Sequence, residues 1–267
     1  MSQKFEEHVA DIESRVDSTA KSAMTHLFCD RREAGRKLAA SLLAQFDFSS
    51  EPVVLALPRG GVPVAFEVAS AFNAPLDVCL TQQLEVPGHG GLCMGAVASG
   101  HVLVLQRAVI ERFQIPEKLI TRAVRREVKE LDQRERAYRG ERAATSLVDR
   151  TVILVDDGLA GVTAPVAAIK AIRARRAARL IFAMPVASRD SCTHLLGLVD
   201  DLVCLATPTP FQTVATWYRE FPHVSDLDVR RMHGEAANER STPHSLTSYP
   251  LSVVYRTAQQ STDRRAS

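Results

Sequence analysis

What most constrains this chain is a strand–turn–helix unit whose turn is acidic. Thr151-Val152-Ile153-Leu154-Val155 is a short, mostly β-branched apolar run, the pattern of a strand buried on both faces. Asp156-Asp157-Gly158 stops it, and Pro165, a residue favoured in the first turn, predicts a helix opening near Ala164 and running through Val166, Ile169, Ala171 and Ile172. A second such unit lies upstream: a strand over Val53–Leu57, the loop Pro58-Arg59-Gly60-Gly61, and a helix from about Val62 to Phe72. Further strands are expected at Leu76–Leu80, Ala178–Pro185 and Asp201–Leu205, with a helix at Asp190–Leu198. This alternation predicts an α/β fold, a doubly wound, mainly parallel sheet with helices on both faces.

The remaining chain fills in around that frame. A polar helical arm is expected over residues 3–22, with Phe5, Val9, Ile12 and Val16 as a narrow apolar stripe. A helix should start at an Asp30 cap, with Glu33 at capping-box spacing, and pass through Ala34, Leu38, Leu42 and Leu43 to end near Phe46. Thr81 to Gly91 reads as a loop, followed by a β-pair, Cys93–Ala98 and His101–Leu105, turning at Ser99-Gly100. Pro116 opens a long helix to about Tyr138, whose mixed charges over 122–136 read as a solvated face rather than a nucleic-acid surface. Phe211, Val214, Trp217 and Tyr218 fall at helical spacing, and a mostly disordered tail is expected over 235–267, with local docking at Leu251–Tyr255. The expected organisation is an arm at 1–27, one domain at 28–234 and the tail.

Composition narrows the function classes. Lys plus Arg is 33 against 31 for Asp plus Glu, so the charge of +2 argues for neither nucleic-acid nor membrane binding. No apolar run approaches the roughly 20 residues that span a bilayer. The five cysteines are scattered and lack Cys-x-x-Cys spacing, which suits a reducing, cytoplasmic setting.

The acidic pair, at the carboxyl end of a parallel strand beside a helix N-terminus, suits a ligand with hydroxyls at one end and phosphate at the other. Carboxylates accept from hydroxyls, and Arg59 offers a planar charged fork to a diphosphate while Gly60 and Gly61 let backbone approach it. Read blandly, Asp156-Asp157 is an Asx-stabilised turn and Arg59-Gly60-Gly61 a surface turn. His89 and Cys93 are too few to make a metal site.

These residues resemble a family. Val155-Asp156-Asp157-Gly158 is similar to the phosphoribosyl-pyrophosphate (PRPP) signature of type I phosphoribosyltransferases, and Val53 to Ala65 resembles that family's pyrophosphate-loop segment. Phe211, Trp217-Tyr218, Phe221 and Ser225-Asp226 resemble the C-terminal region of a bacterial branch of it, so the likeness runs from about Phe28 to Met232. The resemblance implies a phosphoribosyltransferase-type fold with a small hood. It also implies PRPP-dependent transfer of phosphoribosyl to a base with release of pyrophosphate, a place in nucleotide metabolism, and an associated Mg²⁺ near Asp156 and Asp157. Asp156 and Asp157 would hold the ribose; Arg59, Gly60, Gly61, Gln82 and Gln83 would face the pyrophosphate; the 5′-phosphate would lie over residues 160–164, with Ala160, Gly161, Val162 and Thr163, and Gly158 would be a further substrate-binding residue. A homodimer is compatible with it. The sequence departs from the branch where Gln82-Gln83 replaces an Arg-Lys pair, where Gly91 replaces a glutamate, and where Ala160-Gly161-Val162-Thr163-Ala164 replaces Ala-Thr-Gly-Ala-Thr. Val162 is expected to set methyls in the phosphate's place. The alternative is a non-catalytic homologue that senses nucleotides or binds protein.

Overall fold

A computed structural model describes residues 26–48 and 50–238, together with the backbone of 254–256. The expected arm at residues 3–22 and most of the expected tail lie outside the described residues. Helix α1 (Arg31–Gln45) begins where Asp30 accepts from the Glu33 amide at 2.7 Å. Glu33 reaches back to the Cys29 amide at 2.5 Å, one residue earlier than a regular capping box. Strand β1 (Val53–Ala56), helix α2 (Gly61–Phe72) and strand β2 (Leu76–Val78) follow as expected. After the central strand β6 (Thr151–Val155) come helix α5 (Thr163–Ala174), strand β7 (Arg179–Val186), helix α6 (Arg189–Leu195) and strand β8 (Asp201–Ala206).

The main sheet has the order β2-β1-β6-β7-β8-β9, parallel except for β9 (Val254–Arg256), which runs antiparallel to β8 with Val203 opposite Val254. From β1 the chain winds outward to β2; from β6 it winds the other way through β7 to β8. The order therefore reverses between β1 and β6, the place where open α/β sheets form a crevice at their carboxyl ends. Alternate residues of these strands feed two cores. Val54, Ile153, Ile181 and Val203 pack with α1, α2 and the last helix, α7 (Asp226–Asn238), whereas Leu55, Leu154, Phe182 and Met184 pack with α5 and α6. Each such side chain contributes about 1.5–3 kcal/mol on burial.

Between the two units stands a hood that was only half legible. The segment expected as a loop is strand β3 (Thr81–Val86), paired to β4 (His89–Ala98), which pairs in turn with β5 (Val102–Leu105). Its polar residues obscure a period-two pattern in which Leu84 and Val86 are buried while Gln83 and Glu85 are exposed. A short helix α3 (Arg107–Arg112), unforeseen, precedes α4 (Glu117–Arg139). The hood sheet is sandwiched: Leu84, Val86 and Met94 pack toward α4, and Ala96 and Ala98 pack on Ala167 and Ala171 of α5.

Two other expectations are corrected. The helical face at 211–218 is only a single 3₁₀ turn, Val214–Trp217, because Pro208 and Pro210 break the backbone pattern and ring packing orders the segment instead. Helix α7 continues through residue 235, where the tail was expected to start, because Val229, Met232 and Ala236 share a buried face. Among the described residues, no helix is long and apolar enough to cross a membrane.

A buried polar knot ties hood to sheet. Asp77 on β2 accepts from Arg139 at 2.8 Å and from the Thr145 amide at 2.9 Å, with His233 of α7 at 3.5 Å. Arg139 also meets the Val78 carbonyl and Glu135, and Glu135 accepts from Ser99 of the hood turn. Burial pushes the Asp77 carboxyl up, but bonds from His233, Arg139 and Thr145 outweigh it and hold the carboxyl well below the usual carboxylate range. A depressed native value adds stability above the unfolded carboxylate range, lost only as pH falls into strong acid. Replacing Arg139 with Met should cost about 3–5 kcal/mol in urea unfolding by stranding Asp77, whereas a change below 1 kcal/mol, read against ~1 for an average mutation, would remove the knot from the list of structural supports.

Candidate functional site

The loops after β1 and β6 meet at the reversal point. Gly60 lies so close to the acidic turn that a Cβ there would come within 2.1 Å of Asp157 Oδ2, and one on Gly61 within 2.8 Å of the Val155 carbonyl. Only residues without side chains allow this approach. Asp156 receives the Asp157 amide on Oδ1 at 2.9 Å, an Asx-type bond that shapes the turn without closing off the pair. Gly158 is wedged against Val186 and Val214.

Asp157 carries a partner the sequence did not announce. Arg31, in the first turn of α1, donates from Nε to Asp157 Oδ2 at 2.7 Å, with side-chain exposures of 9% and 13%. The same guanidinium donates to the Pro222 carbonyl at 2.7 Å and stacks 3.5 Å from the Phe221 ring centre. Its outer side lines a cavity of ≈390 Å³ with Pro63, His223 and Met232. The buried Tyr218 hydroxyl donates to the Asp157 carbonyl. A cation in a helix's first turn opposes the macrodipole, which is the one signal that could have flagged Arg31.

The other expected residues divide by position. Arg59 is half-exposed and lies 3.7 Å from Asp226, while Asp226 accepts from Tyr138 at 2.6 Å. The Gly61 amide is spent on the Leu57 carbonyl at 3.0 Å, so it is not open to an anion as expected. Gln82 and Gln83 sit on adjacent positions of β3 and point to opposite faces of the hood. Gln82 faces α4, where Arg134 donates to its Oε1 at 3.2 Å; Gln83 lies across from Ala96, on the α5 side. They therefore do not act as one pair.

Ala160 and Gly161 form an exposed loop leading into α5. A Cβ at Gly161 would meet nothing within 4 Å. Val162 takes a right-handed helical backbone, φ −109° and ψ −12°, and its side chain is half-buried against the second core, so its methyls are drawn inward rather than standing free in the loop. Thr163 opens α5, and its hydroxyl accepts from Gln106 of the hood at 2.9 Å. The amides of Thr163 and Ala164 have no intrahelical partner, as in any first turn, while Pro165 has no amide to offer.

Electrostatically the acidic turn is strained. Burial first, then the neighbouring Asp157, pushes the Asp156 carboxyl well above its usual range. Burial and the Asp226 carboxylate push the Tyr138 phenol up to about 12, with Arg134 and Arg59 opposing them. Among the described residues no group of three or more His, Cys, Asp or Glu could hold a metal ion. Two neighbouring carboxylates, one of them tied to Arg31, are too few ligands for a dedicated cage, so the residues present would fit Mg²⁺ only as a largely hydrated ion.

A doubly wound sheet with a hood, and an acid pair facing a glycine turn at the reversal point, define an α/β protein with a candidate ligand crevice at the carboxyl ends of its strands. Comparison with known proteins agrees. The chain is 39% identical over 203 residues to "Putative phosphoribosyl transferase Rv0571c" of Mycobacterium tuberculosis H37Rv, and equally to its counterpart in strain CDC 1551. The match covers 76% of this chain and 45% of those proteins, so the chain spans about half the length of the curated relatives it matches. The crystal structure of TT1426 from Thermus thermophilus superposes with a TM-score of 0.66 at 35% identity, covering 78% of this chain and 98% of that one. No protein-family model matches. The chain belongs to the type I phosphoribosyltransferase-like family.

The raised Asp156 carboxyl yields a sign-specific expectation. A carboxyl whose folded pKa lies above its unfolded value adds stability at low pH and loses that contribution as pH rises through the folded value. Asp156→Asn should therefore raise the Tm by a few degrees in mildly alkaline buffer and by less in mildly acidic buffer. A difference independent of pH in a thermal scan would mean that Asp156 is not a strained carboxylate.

Proposed function

We propose that this chain binds PRPP at the β1–β6 crevice and transfers its phosphoribosyl group to a base or related acceptor, releasing pyrophosphate. What supports the reading above all is the contact between Gly60 and the Asp157 carboxylate. It brings a hydroxyl-accepting pair and a diphosphate-facing turn within the span of one sugar phosphate. In this reading Asp156 and Asp157 accept from the ribose hydroxyls, and Arg31 holds the Asp157 carboxylate in place. Arg59 and the Gly60 amide face the pyrophosphate. The open loop at 160–163 and the first amides of α5 face the 5′-phosphate.

Transfer breaks the bond between the anomeric carbon and the pyrophosphate oxygen as the acceptor's lone pair forms a new bond there. Charge develops on the departing oxygens, and cations placed near them are stronger in that state than in the ground state. Mg²⁺ carried by the diphosphate would shield the same charge. Asp157 keeps the ring oriented throughout because its carboxylate is pinned by Arg31 and its carbonyl by Tyr218.

A second reading, a non-catalytic homologue that senses nucleotides or binds protein, draws on a separate observation. The hood strand offers neutral Gln82 and Gln83 rather than cations, and the loop offers no hydroxyl at Gly161 or Val162. Two readouts separate the readings. Calorimetry with PRPP and Mg²⁺ should give binding that Asp157→Asn weakens at least tenfold, about 1.4 kcal/mol, and pyrophosphate should appear when an acceptor base is added. Binding without pyrophosphate release from any base would favour the sensor; no heat at millimolar PRPP, a Kd worth about 4 kcal/mol, would end the transferase reading. Gly161→Thr, which enters open space, should tighten PRPP several-fold by adding a hydroxyl donor worth about 1 kcal/mol without lowering Tm.

A further inference from the structure

The diphosphate side of the crevice has a cation that the sequence pattern missed. Arg134 and Tyr138 are four residues apart on α4 and so share one face of the helix. From that face Arg134 Nη1 donates to Gln82 Oε1 at 3.2 Å, and Tyr138 donates to Asp226 Oδ1 at 2.6 Å. Asp226 then lies 3.7 Å from Arg59 Nη1, and Arg59 adjoins the Gly60 that touches Asp157. Gln82, Arg134, Tyr138, Asp226 and Arg59 thus form one line from hood strand to pyrophosphate loop.

The restraints on the two guanidiniums are weak. Arg134 is 49% exposed and its other neighbour, Glu130, is 4.0 Å away, too far for a hydrogen bond. Arg59 is 47% exposed, and its 3.7 Å approach to Asp226 is an ion pair of the loose, solvent-screened kind. Because Gln82 gives its carbonyl oxygen to Arg134, the carboxamide NH₂ is the end left for a ligand, which suits an anion.

We propose that Arg134 binds the diphosphate, supplying from the hood helix the positive charge absent at Gln82 and Gln83, and that Asp226 is a resting counterion for Arg59 which the diphosphate displaces. This rests on the reading of the crevice as a PRPP site. A diphosphate offers several charged oxygens to an arginine fork where Asp226 offers a single loose carboxylate contact, so the exchange runs toward the ligand. Asp226 keeps its bond from Tyr138 after letting Arg59 go, so release strands no group.

The test is calorimetry of PRPP with Mg²⁺, and of inorganic diphosphate with Mg²⁺, at low and high salt. Arg134→Gln should bind both ligands about tenfold or more weakly, with a shallower salt dependence and an unchanged Tm, since a charge-assisted bond is lost from an exposed side chain. Adding Gln82→Arg to that variant should recover most of the affinity. Asp226→Asn should bind both ligands several-fold more tightly. Wild-type binding that Arg134→Gln leaves intact overturns the role of Arg134 and spares the PRPP site, and an Asp226→Asn affinity no higher than wild type overturns the counterion role. A wild-type protein that binds neither ligand overturns this inference and the PRPP reading together.

Discussion

The closest approach in the molecule that matters for chemistry is backbone against carboxylate: Gly60 beside Asp157 at the point where the sheet's winding reverses. Everything else in the crevice is arranged around keeping that approach possible. The β1 and β6 strands pair in register, Ala56 opposite Val155, so their following loops leave the sheet side by side. A methyl at residue 60 would drive the acidic turn away, and the pocket would lose its two ends at once. Arg31, brought up by α1, then neutralises the carboxylate that this packing half-buries.

Charge is distributed in a consistent way across the site. The acid pair is half-buried, with burial and mutual repulsion raising Asp156, and Arg31, which pairs with Asp157, is buried. The remaining cations, Arg59 and Arg134, stand half-exposed at the mouth, where a screened neighbour is easily exchanged. The hood is not a loose flap. Ala96 and Ala98 pack it on α5, Leu84 and Val86 pack it on α4, and the Asp77–Arg139 knot ties it to the sheet edge. Its position relative to the crevice is therefore set by the same burial that stabilises the domain.

The departures from the family pattern look different in three dimensions. Gln82 and Gln83 are adjacent in sequence but belong to opposite faces of a strand, so a pair of neutral residues is one residue at the α4 side and one at the α5 side. Val162, whose methyls were expected over the phosphate, is turned into the second core, and Gly161 leaves space where a hydroxyl-bearing side chain would fit. If the loop at 160–163 faces a 5′-phosphate as proposed, the missing hydroxyls are the departure with a direct chemical cost, about 1 kcal/mol each.

Local pattern carried much of this protein's architecture. The buried strands, the helices after Asp30, Gly60 and Val162, and the acid pair at a strand's carboxyl end are all readable because period, caps and turn residues are short-range properties. Polar β3 escaped because its alternation is masked by Thr, Gln and Glu on the exposed positions, and the 211–218 segment misled because its aromatics are buried by ring packing rather than by helix geometry. Strand order, the contact of Gly60 with Asp157, and the partners Arg31 and Arg134 were decided only by tertiary structure. Arg31 meets an acid 126 residues away and Arg134 a glutamine 52 away. Such pairings follow from which helices the sheet brings together, and no window of sequence short enough to show a periodicity contains both partners.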